Sequence, residues 1–175
     1  MLTRSEEDHI KAVHTLLQDG ATAGTKDLAE RLNIKASSVT VMLKKLAEKG
    51  LLKHEPYYGV KLTAKGKVAA LKLVRKHRLW ETFLVERLGF KWNEVHEVAE
   101  QLEHVHSEKL TDKLAGYLGD PAFDPHGDPI PSREGTLPKA EGMPLTAYQA
   151  EGPIRIVHLE DEPALAFEQI LAAGL

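Results

Sequence analysis

Residues 25–63, TKDLAERLNIKASSVTVMLKKLAEKGLLKHEPYYGVKLT, decide the fold of the N-terminal half of this chain of 175 residues. Thr25 is placed to cap a short helix, KDLAERLN, and Asn33 then begins a tight turn. A second helix is expected over residues 36–50, where Gly50 supplies the stop. Two short helices joined by a tight turn predict a helix-turn-helix.

The end of this stretch adds a β-hairpin. Residues 51–55 and residues 59–63 predict two short strands, with a Pro-Tyr-Tyr-Gly turn between them. A hairpin that directly follows the second helix is typical of a wing. We therefore expect a mainly α fold whose N-terminal domain is a winged helix-turn-helix.

The second helix of the motif has an apolar face and a polar face. The apolar face comprises Val39, Leu43 and Leu46. The polar face and the hairpin turn carry hydroxyl and ammonium groups, which we expect to contact bases and phosphates of DNA. These residues are Ser37, Ser38, Thr40, Lys44, Lys45, Tyr57 and Tyr58. Val41 lies among them, and the sequence leaves open whether it contacts a thymine methyl group or packs inside the domain.

Charge is distributed unevenly along the chain. Residues 1–76 hold 15 Lys/Arg and 8 Asp/Glu, a net +7, whereas residues 77–175 hold 8 Lys/Arg and 18 Asp/Glu, a net −10. A basic part joined to an acidic part favours nucleic-acid binding by the former. A helix-turn-helix also occurs as a protein-interaction module, and the local charge argues against that alternative.

Composition excludes several classes of protein. The chain has no cysteine, so it has no disulfide scaffold, no cysteine nucleophile and no thiolate zinc finger. No apolar run approaches the roughly 20 residues of a membrane-spanning helix. The polar start MLTRSEEDHIKAV is unlike a secretory signal. A cytoplasmic protein with no membrane partner is expected.

The C-terminal half carries a pattern of metal ligands. One helix is expected from about Ala64 to Leu88, and a second, long helix over residues 93–119. The first helix offers His77 and Glu81 at i, i+4. The second places four ligand-type side chains on one face at i, i+4, i+7 and i+8, namely His96, Glu100, Glu103 and His104. Imidazole and carboxylate donors without sulfur suit manganese, iron(II), zinc or cobalt. His126 has no spaced partner and is expected to be solvated.

The order of these parts resembles the diphtheria-toxin-repressor/manganese-transport-regulator family of metal-activated transcriptional repressors, which act as homodimers. The resemblance runs from residue 1 to about residue 135. It rests on the winged helix, on KHRLWETFL, on NEVHEVAEQLEHVHSEKL and on GDPAFDPHGDPIPS. The resemblance implies double-stranded operator DNA and a second copy of the chain as partners, and no small organic ligand.

The metal ligands of that family carry over onto this sequence position by position. The resemblance places the primary site on Asp8, Glu100, Glu103 and His104. It places the ancillary site on His77, Glu81 and His96, with an acid of the C-terminal tail, taken as Glu162.

Two of the implied ligands favour manganese. The iron-responsive branch has methionine and cysteine where this chain has Asp8 and Glu100, and the manganese-responsive branch has carboxylates there. Hard oxygen ligands suit Mn²⁺, so Mn²⁺ is the expected ion, with Fe²⁺ as the alternative and Zn²⁺, Co²⁺ or Cd²⁺ as ions accepted in vitro. Lys11 replaces a glutamate that helps to bridge two metals in the manganese branch, so we expect two separate sites.

The expected domain organisation has four parts. Residues 1–64 form the winged helix-turn-helix domain, and residues 65–125 form a helical dimerisation and metal-binding domain. Residues 126–143 are a linker rich in Pro and Gly. Residues 144–175 begin an SH3-like domain that is incomplete, with a strand at Ile154–His158.

The sequence thus predicts a metal-dependent repressor of metal-uptake genes, Mn²⁺-responsive, with an iron-responsive regulator of the same family as the alternative. A helical His/Glu metalloenzyme is a weaker alternative, because the chain has no phosphate loop, nucleophile elbow or H-E-x-x-H run. A winged-helix regulator that senses something other than metal is a third.

Overall fold

The computed structural model describes residues 1–18, 20, 22–56, 59–139, 142–147, 149 and 156–158. The mainly helical prediction is confirmed within these residues. The elements are α1 (Arg4–Gln18), α2 (Thr25–Arg31), α3 (Ala36–Glu48), β1 (Leu52–Glu55), β2 (Gly59–Leu62), α4 (Ala64–Leu88), α5 (Trp92–Leu102) and α6 (Glu108–Tyr117). The chain divides into two compact units, Met1–Val74 and Arg75–Leu175, and the division falls within α4. None of the helices in the described part is long and apolar enough to cross a bilayer.

The N-terminal unit is a winged helix-turn-helix with its own hydrophobic core. The apolar face predicted for α3 is correct, because Val39, Leu43 and Leu46 are all buried. Removal of such side chains from water is the main favourable contribution to folding. The other buried apolar residues of this core are Ile10, Ala12, Val13, Ala23, Leu28, Leu51, Leu52, Val60 and Ala70.

The wing is an antiparallel pair of strands that docks on the loop before α2. The register of β1 and β2 runs from Leu52 opposite Leu62 to Glu55 opposite Gly59. Gly59 has φ of 83°, and a side chain there would collide with the carbonyl oxygen of Ala23. A glycine is therefore required where β2 passes this loop.

Of the helix ends predicted in this unit, the C-terminal end of α3 is correct and the N-terminal cap of α2 is wrong. Gly50, with φ of 70°, stops α3 as predicted, and the Leu51 N–H donates to the Leu46 carbonyl at 3.0 Å. The predicted cap of α2 is wrong, because the N-cap is Gly24 and Thr25 is already helical. The Asp27 carboxylate accepts from the Gly24 N–H at 3.2 Å and so does the capping instead.

The single helix predicted over residues 93–119 is also wrong. α5 ends at Leu102, Glu103 is its C-cap, and α6 begins only at Glu108. Ser107 starts the new helix, since its hydroxyl oxygen accepts from the Leu110 N–H at 3.2 Å. Glu103 keeps the helical hydrogen bond from its N–H to the Ala99 carbonyl at 2.9 Å, whereas His104 lies in the turn beyond the helix, so the predicted shared helical face does not extend to His104.

The C-terminal unit has two small apolar clusters. In one, Leu79 of α4 is buried with Leu114 and Ala115 of α6 and with Ile130. In the other, Leu84 of α4 is buried with Val95 and Ala99 of α5. Together they hold α5 and α6 against α4, which fixes the positions from which polar side chains project.

The C-terminal tail is described only in part. Residues Ile156–His158 have no regular secondary structure, so the part of the predicted strand that can be described is not a strand. The rest of that strand and Glu162 lie outside the described residues. The His158 Nε2 atom is 3.6 Å from Asp128 Oδ1.

A buried carboxylate joins α1 to α3 in the N-terminal unit. Glu6 is fully buried, and its Oε1 accepts from Lys49 Nζ at 2.6 Å and lies 3.0 Å from Lys45 Nζ. Its Oε2 accepts from the Thr3 N–H at 3.0 Å. The hydrogen bond from Lys49 lowers the pKa of Glu6 to about 2 although burial opposes the shift.

Neutralising this carboxylate should loosen the contact between the two helices. Glu6→Gln keeps the shape but removes the charge that Lys45 and Lys49 face, and should lower the free energy of unfolding by about 2 kcal/mol. Urea unfolding followed by circular dichroism measures the change. Glu48→Gln, at an exposed carboxylate of α3, is the control and should change it by less than about 0.5 kcal/mol. Equal effects of the two substitutions would contradict this role for Glu6.

Candidate metal centre and DNA-binding face

Two histidines and a glutamate converge between α4 and α5. His77 and Glu81 lie one turn apart on α4, both buried, and α5 brings His96 against them. His77 Nε2 is 3.0 Å from Glu81 Oε1, and His96 Nδ1 is 3.2 Å from the same oxygen. The structure thus brings together the three residues predicted for the ancillary site, with one potential ligand atom from each within 4.8 Å of the others.

Hydrogen bonding determines which atoms of His77 face this cluster. The Nδ1–H of His77 donates to Glu103 Oε2 at 2.6 Å. The Nε2 atom then points toward Glu81 Oε1 and lies 3.1 Å from His96 Nδ1. Two imidazole nitrogens and a carboxylate oxygen in contact require a proton or a metal cation among them.

Glu81 remains ionised in this environment. Burial by itself would raise the pKa of Glu81, but hydrogen bonds from His77 and His96 outweigh burial and hold it well below its usual range. A buried, charged carboxylate beside imidazoles is the kind of donor that a divalent cation selects.

The residues predicted for the primary site differ in how deeply they are buried and in which helix carries them. Glu103 is buried at the end of α5, and His104 Nε2 lies 3.8 Å from its Oε1. Glu100 is half exposed on α5, with Oε1 at 3.6 Å from His96 Nε2. Asp8 is partly buried on α1 in the N-terminal unit. Among the acids in this group, Glu103 has the direct hydrogen bond to His77.

A further group that was not predicted from the sequence lies around Glu81. Asp124 and His126 are both buried, and each offers an atom within 4.8 Å of the other and of Glu81. The prediction that His126 is solvated is therefore wrong. Its ring packs edge-on against Trp92, with centroids 6.0 Å apart, and its Nε2 lies 3.3 Å from the Trp92 carbonyl oxygen.

Arg78 of α4 holds the loop that carries this group. Its guanidinium donates to the Pro129 carbonyl and pairs with Asp128 at 3.1 Å. Within the loop, Asp124 Oδ1 accepts from the backbone N–H of His126 and of Asp128, each at 2.9 Å. The D-P-H-G-D run is thus a compact turn, and its spacing of acid and histidine was the signal available in the sequence.

The second oxygen of Asp124 has a free lone pair that a proton or a cation would satisfy. Within the described residues, the buried Oδ2 has no hydrogen-bond donor, and Arg78 Nε lies 3.7 Å away. Burial and the charges of Glu81 and Asp128 raise the pKa of Asp124 to about 7. Two buried carboxylates this close repel each other, and a divalent ion between them would relieve the repulsion.

The residues predicted to contact DNA on α3 all lie on its exposed side. Two of them also have intramolecular partners, because the Thr40 hydroxyl donates to the Ala36 carbonyl at 3.0 Å and Lys45 pairs with Glu6. On the wing, Lys61 Nζ lies 3.4 Å from Glu55. Tyr57 and Tyr58 lie outside the described residues. The exposed polar face of α3 and the lysines of the wing are consistent with a groove-binding surface.

Comparison with known proteins gives two family matches. Residues 1–60 match the family described as iron dependent repressor, N-terminal DNA binding domain. Residues 63–132 match the family described as iron dependent repressor, metal binding and dimerisation domain.

Individual relatives respond to different metals, according to their names. The iron-dependent repressor IdeR of Mycobacterium leprae is 30% identical over 174 residues, which cover 92% of this chain and 76% of that protein. The HTH-type transcriptional regulator MntR of Lysinibacillus sphaericus is 37% identical over 115 residues, covering 66% of this chain and 82% of MntR. A solved manganese-dependent transcriptional repressor in complex with manganese is 38% identical, with a TM-score of 0.84 over 97% of this chain and 78% of that one.

Glu81 belongs both to the cluster with His77 and His96 and to the cluster with Asp124 and His126. Its substitution therefore tests both clusters at once. Glu81→Gln should weaken Mn²⁺ binding by more than about tenfold, the smallest loss usually seen when even an outer partner of a ligand is removed. Isothermal titration calorimetry of the full chain measures the affinity and the number of ions bound. Glu86→Gln, at a half-exposed carboxylate farther along the same helix, should behave as wild type. Unchanged Mn²⁺ binding by the Glu81 variant would contradict the prediction that Glu81 is a metal ligand.

Proposed function

The chain belongs to the iron-dependent repressor family of metal-dependent transcriptional repressors, and we propose that it is an Mn²⁺-responsive member. It binds operator DNA as a homodimer in the cytoplasm and represses metal-uptake genes when the metal is abundant. The observation that carries this proposal is the hydrogen-bonded network in which the buried side chains of His77, Glu81 and Glu103 meet the half-exposed His96. Members of this family are repressors, so the metalloenzyme alternative is set aside.

The choice of Mn²⁺ follows from the donor atoms. The chain has no cysteine, and each proposed ligand is an imidazole nitrogen or a carboxylate oxygen. Carboxylate-rich sites suit Mn²⁺, whereas softer sulfur ligands suit other ions. The same donors accept Fe²⁺, and an iron-dependent repressor is among the relatives. Iron is therefore the second candidate.

We propose two separate metal sites. The ancillary site uses His77, Glu81 and His96, and Asp124 and His126 extend it through the shared Glu81. The primary site uses Asp8, Glu100, Glu103 and His104, as the resemblance to the family implies.

The bond from His77 to Glu103 supports communication between the two sites. A metal-ligating histidine commonly donates its second ring N–H to a carboxylate, which fixes the tautomer and the orientation of both partners. His77 does so to Glu103 at 2.6 Å. An ion held by His77 Nε2 would therefore fix the orientation of a ligand of the primary site.

DNA binding is proposed for the exposed face of α3 and for the wing. The polar residues Ser37, Ser38 and Lys44 are exposed there and have the chemistry that contacts bases and phosphates. In a homodimer, the two copies of α3 would enter successive major grooves roughly 34 Å apart. The metal would favour this arrangement through its higher affinity for the DNA-competent state.

Removal of Glu103 should abolish the effect of metal on DNA binding. With Glu103→Ala, or with Glu103→Gln if the alanine variant is unstable, Mn²⁺ should no longer increase the fraction of DNA bound in a gel-shift assay. The probe is a genomic fragment pool, assayed with Mn²⁺, with Fe²⁺ and with chelator. Glu97→Ala, an exposed acid of α5, should keep the wild-type response.

Three outcomes of that assay bear on the proposal. Metal stimulation retained by both Glu103 variants would overturn the primary-site assignment. A wild-type response to Fe²⁺ but not to Mn²⁺ would support the iron-responsive alternative. Equal DNA binding by the wild-type chain with metal and with chelator would contradict metal sensing altogether.

A further inference from the structure

Val41 on α3 is an exposed apolar side chain in an unusual place. It is 69% exposed, more than any other valine, leucine or isoleucine recorded as exposed in the described part of the chain. The packing of α3 against its own unit is supplied by Val39, Leu43 and Leu46, all buried. Val41 therefore does not pack inside the domain, which was one of the two alternatives that the sequence left open.

Local helix stability does not account for a valine at this position. A β-branched side chain loses rotamer freedom in a helix and is less favourable there than alanine. Its exposed methyl groups also gain nothing from burial within the unit. Single exposed apolar side chains are common on protein surfaces, so the significance of Val41 depends on where it lies.

The neighbours of Val41 identify what it faces. Ser37 and Ser38 lie four and three residues before it, and Lys44 and Lys45 lie three and four residues after it. Residues at these spacings share one face of a helix, so Val41 is at the centre of the surface proposed to enter the major groove. All four neighbours are exposed; the ammonium of Lys45 pairs with Glu6, and the hydroxyls of Ser37 and Ser38 and the ammonium of Lys44 flank the apolar centre.

We propose that Val41 is a specificity-determining residue that contacts the C5-methyl group of a thymine in each operator half-site. Valine has no side-chain polar atom, so it can distinguish bases only by apolar contact. In the major groove of unmodified DNA, the thymine methyl group is the apolar feature that such contact reads. This inference rests on the proposed function, since it assumes that α3 is the groove-binding helix.

The contact can be tested by deleting either methyl partner. The Mn²⁺-loaded full chain first selects a duplex from a random-sequence DNA pool, and each thymine of that duplex is then replaced in turn by uracil, which lacks only the methyl group. At one position per half-site, wild-type affinity should fall about fourfold for one half-site and about fifteenfold for both, as expected for one buried carbon each. Fluorescence anisotropy at fixed Mn²⁺ measures the affinity.

The variant Val41→Ala supplies the second arm of the test. Its affinity for the thymine duplex should be lower than that of the wild-type chain by a factor similar to the loss caused by uracil in both half-sites. Its affinity should not fall further on the uracil duplex, because the contact is already absent. Alanine favours the helix, so the variant is expected to fold. Val68→Ala removes another exposed valine, on α4 at 52% exposure, and should match wild type on both duplexes.

The outcomes separate this inference from the function beneath it. If the wild-type chain selects a duplex but loses the same affinity as Val41→Ala at every uracil position, the contact does not exist. If no uracil substitution weakens wild-type binding, the same conclusion holds. If the wild-type chain with Mn²⁺ enriches no duplex at all, the proposed function and this inference are both overturned.

Discussion

The hydrogen bond from His77 to Glu103 is the interaction on which the proposed metal centre depends. It joins the middle of α4 to the C-terminal end of α5, and both side chains are almost completely buried. Because Nδ1 is engaged by Glu103, His77 presents Nε2 to Glu81 and His96. One imidazole thereby orients both the ancillary cluster and a carboxylate proposed for the primary site. Loss of this bond would remove a hydrogen bond from a buried carboxylate, and hydrogen bonds to charged buried groups are among the stronger ones inside a protein.

A second constraint is the number of carboxylates gathered around α4. Glu81 and Asp124 are buried in contact range of one another, and such a pair is unfavourable unless positive charge compensates it. Arg78 compensates in part, since its guanidinium reaches Asp128 and lies 3.7 Å from Asp124 Oδ2. The remaining excess of negative charge and donor atoms is what would favour a divalent cation in the proposed site. In that proposal, the repulsion lowers the stability of the metal-free centre and is relieved when the metal binds.

The sequence predicted those features that depend on neighbouring residues. Gly50 marked the end of α3, the limits of α4 were predicted at Ala64 and Leu88, and the i, i+4 pair His77/Glu81 was recognised from its spacing. The break between α5 and α6 was missed, because Ser107 is a weak cap signal inside a long apolar pattern. The role of His126 was missed for another reason: its partner Glu81 lies 45 residues earlier in the chain. Only the folded loop brings the two side chains together.

In the proposed function, metal and DNA bind to the same chain as coupled ligands. If metal favours the DNA-competent state, thermodynamic linkage requires DNA to favour the metal-bound state by the same factor. The direct test is calorimetric titration of the full chain with Mn²⁺ in the presence and in the absence of a duplex that it binds. We expect Mn²⁺ to bind at least about fivefold more tightly when the duplex is present. Identical Mn²⁺ affinities under the two conditions would contradict the claim that the buried centre controls DNA binding.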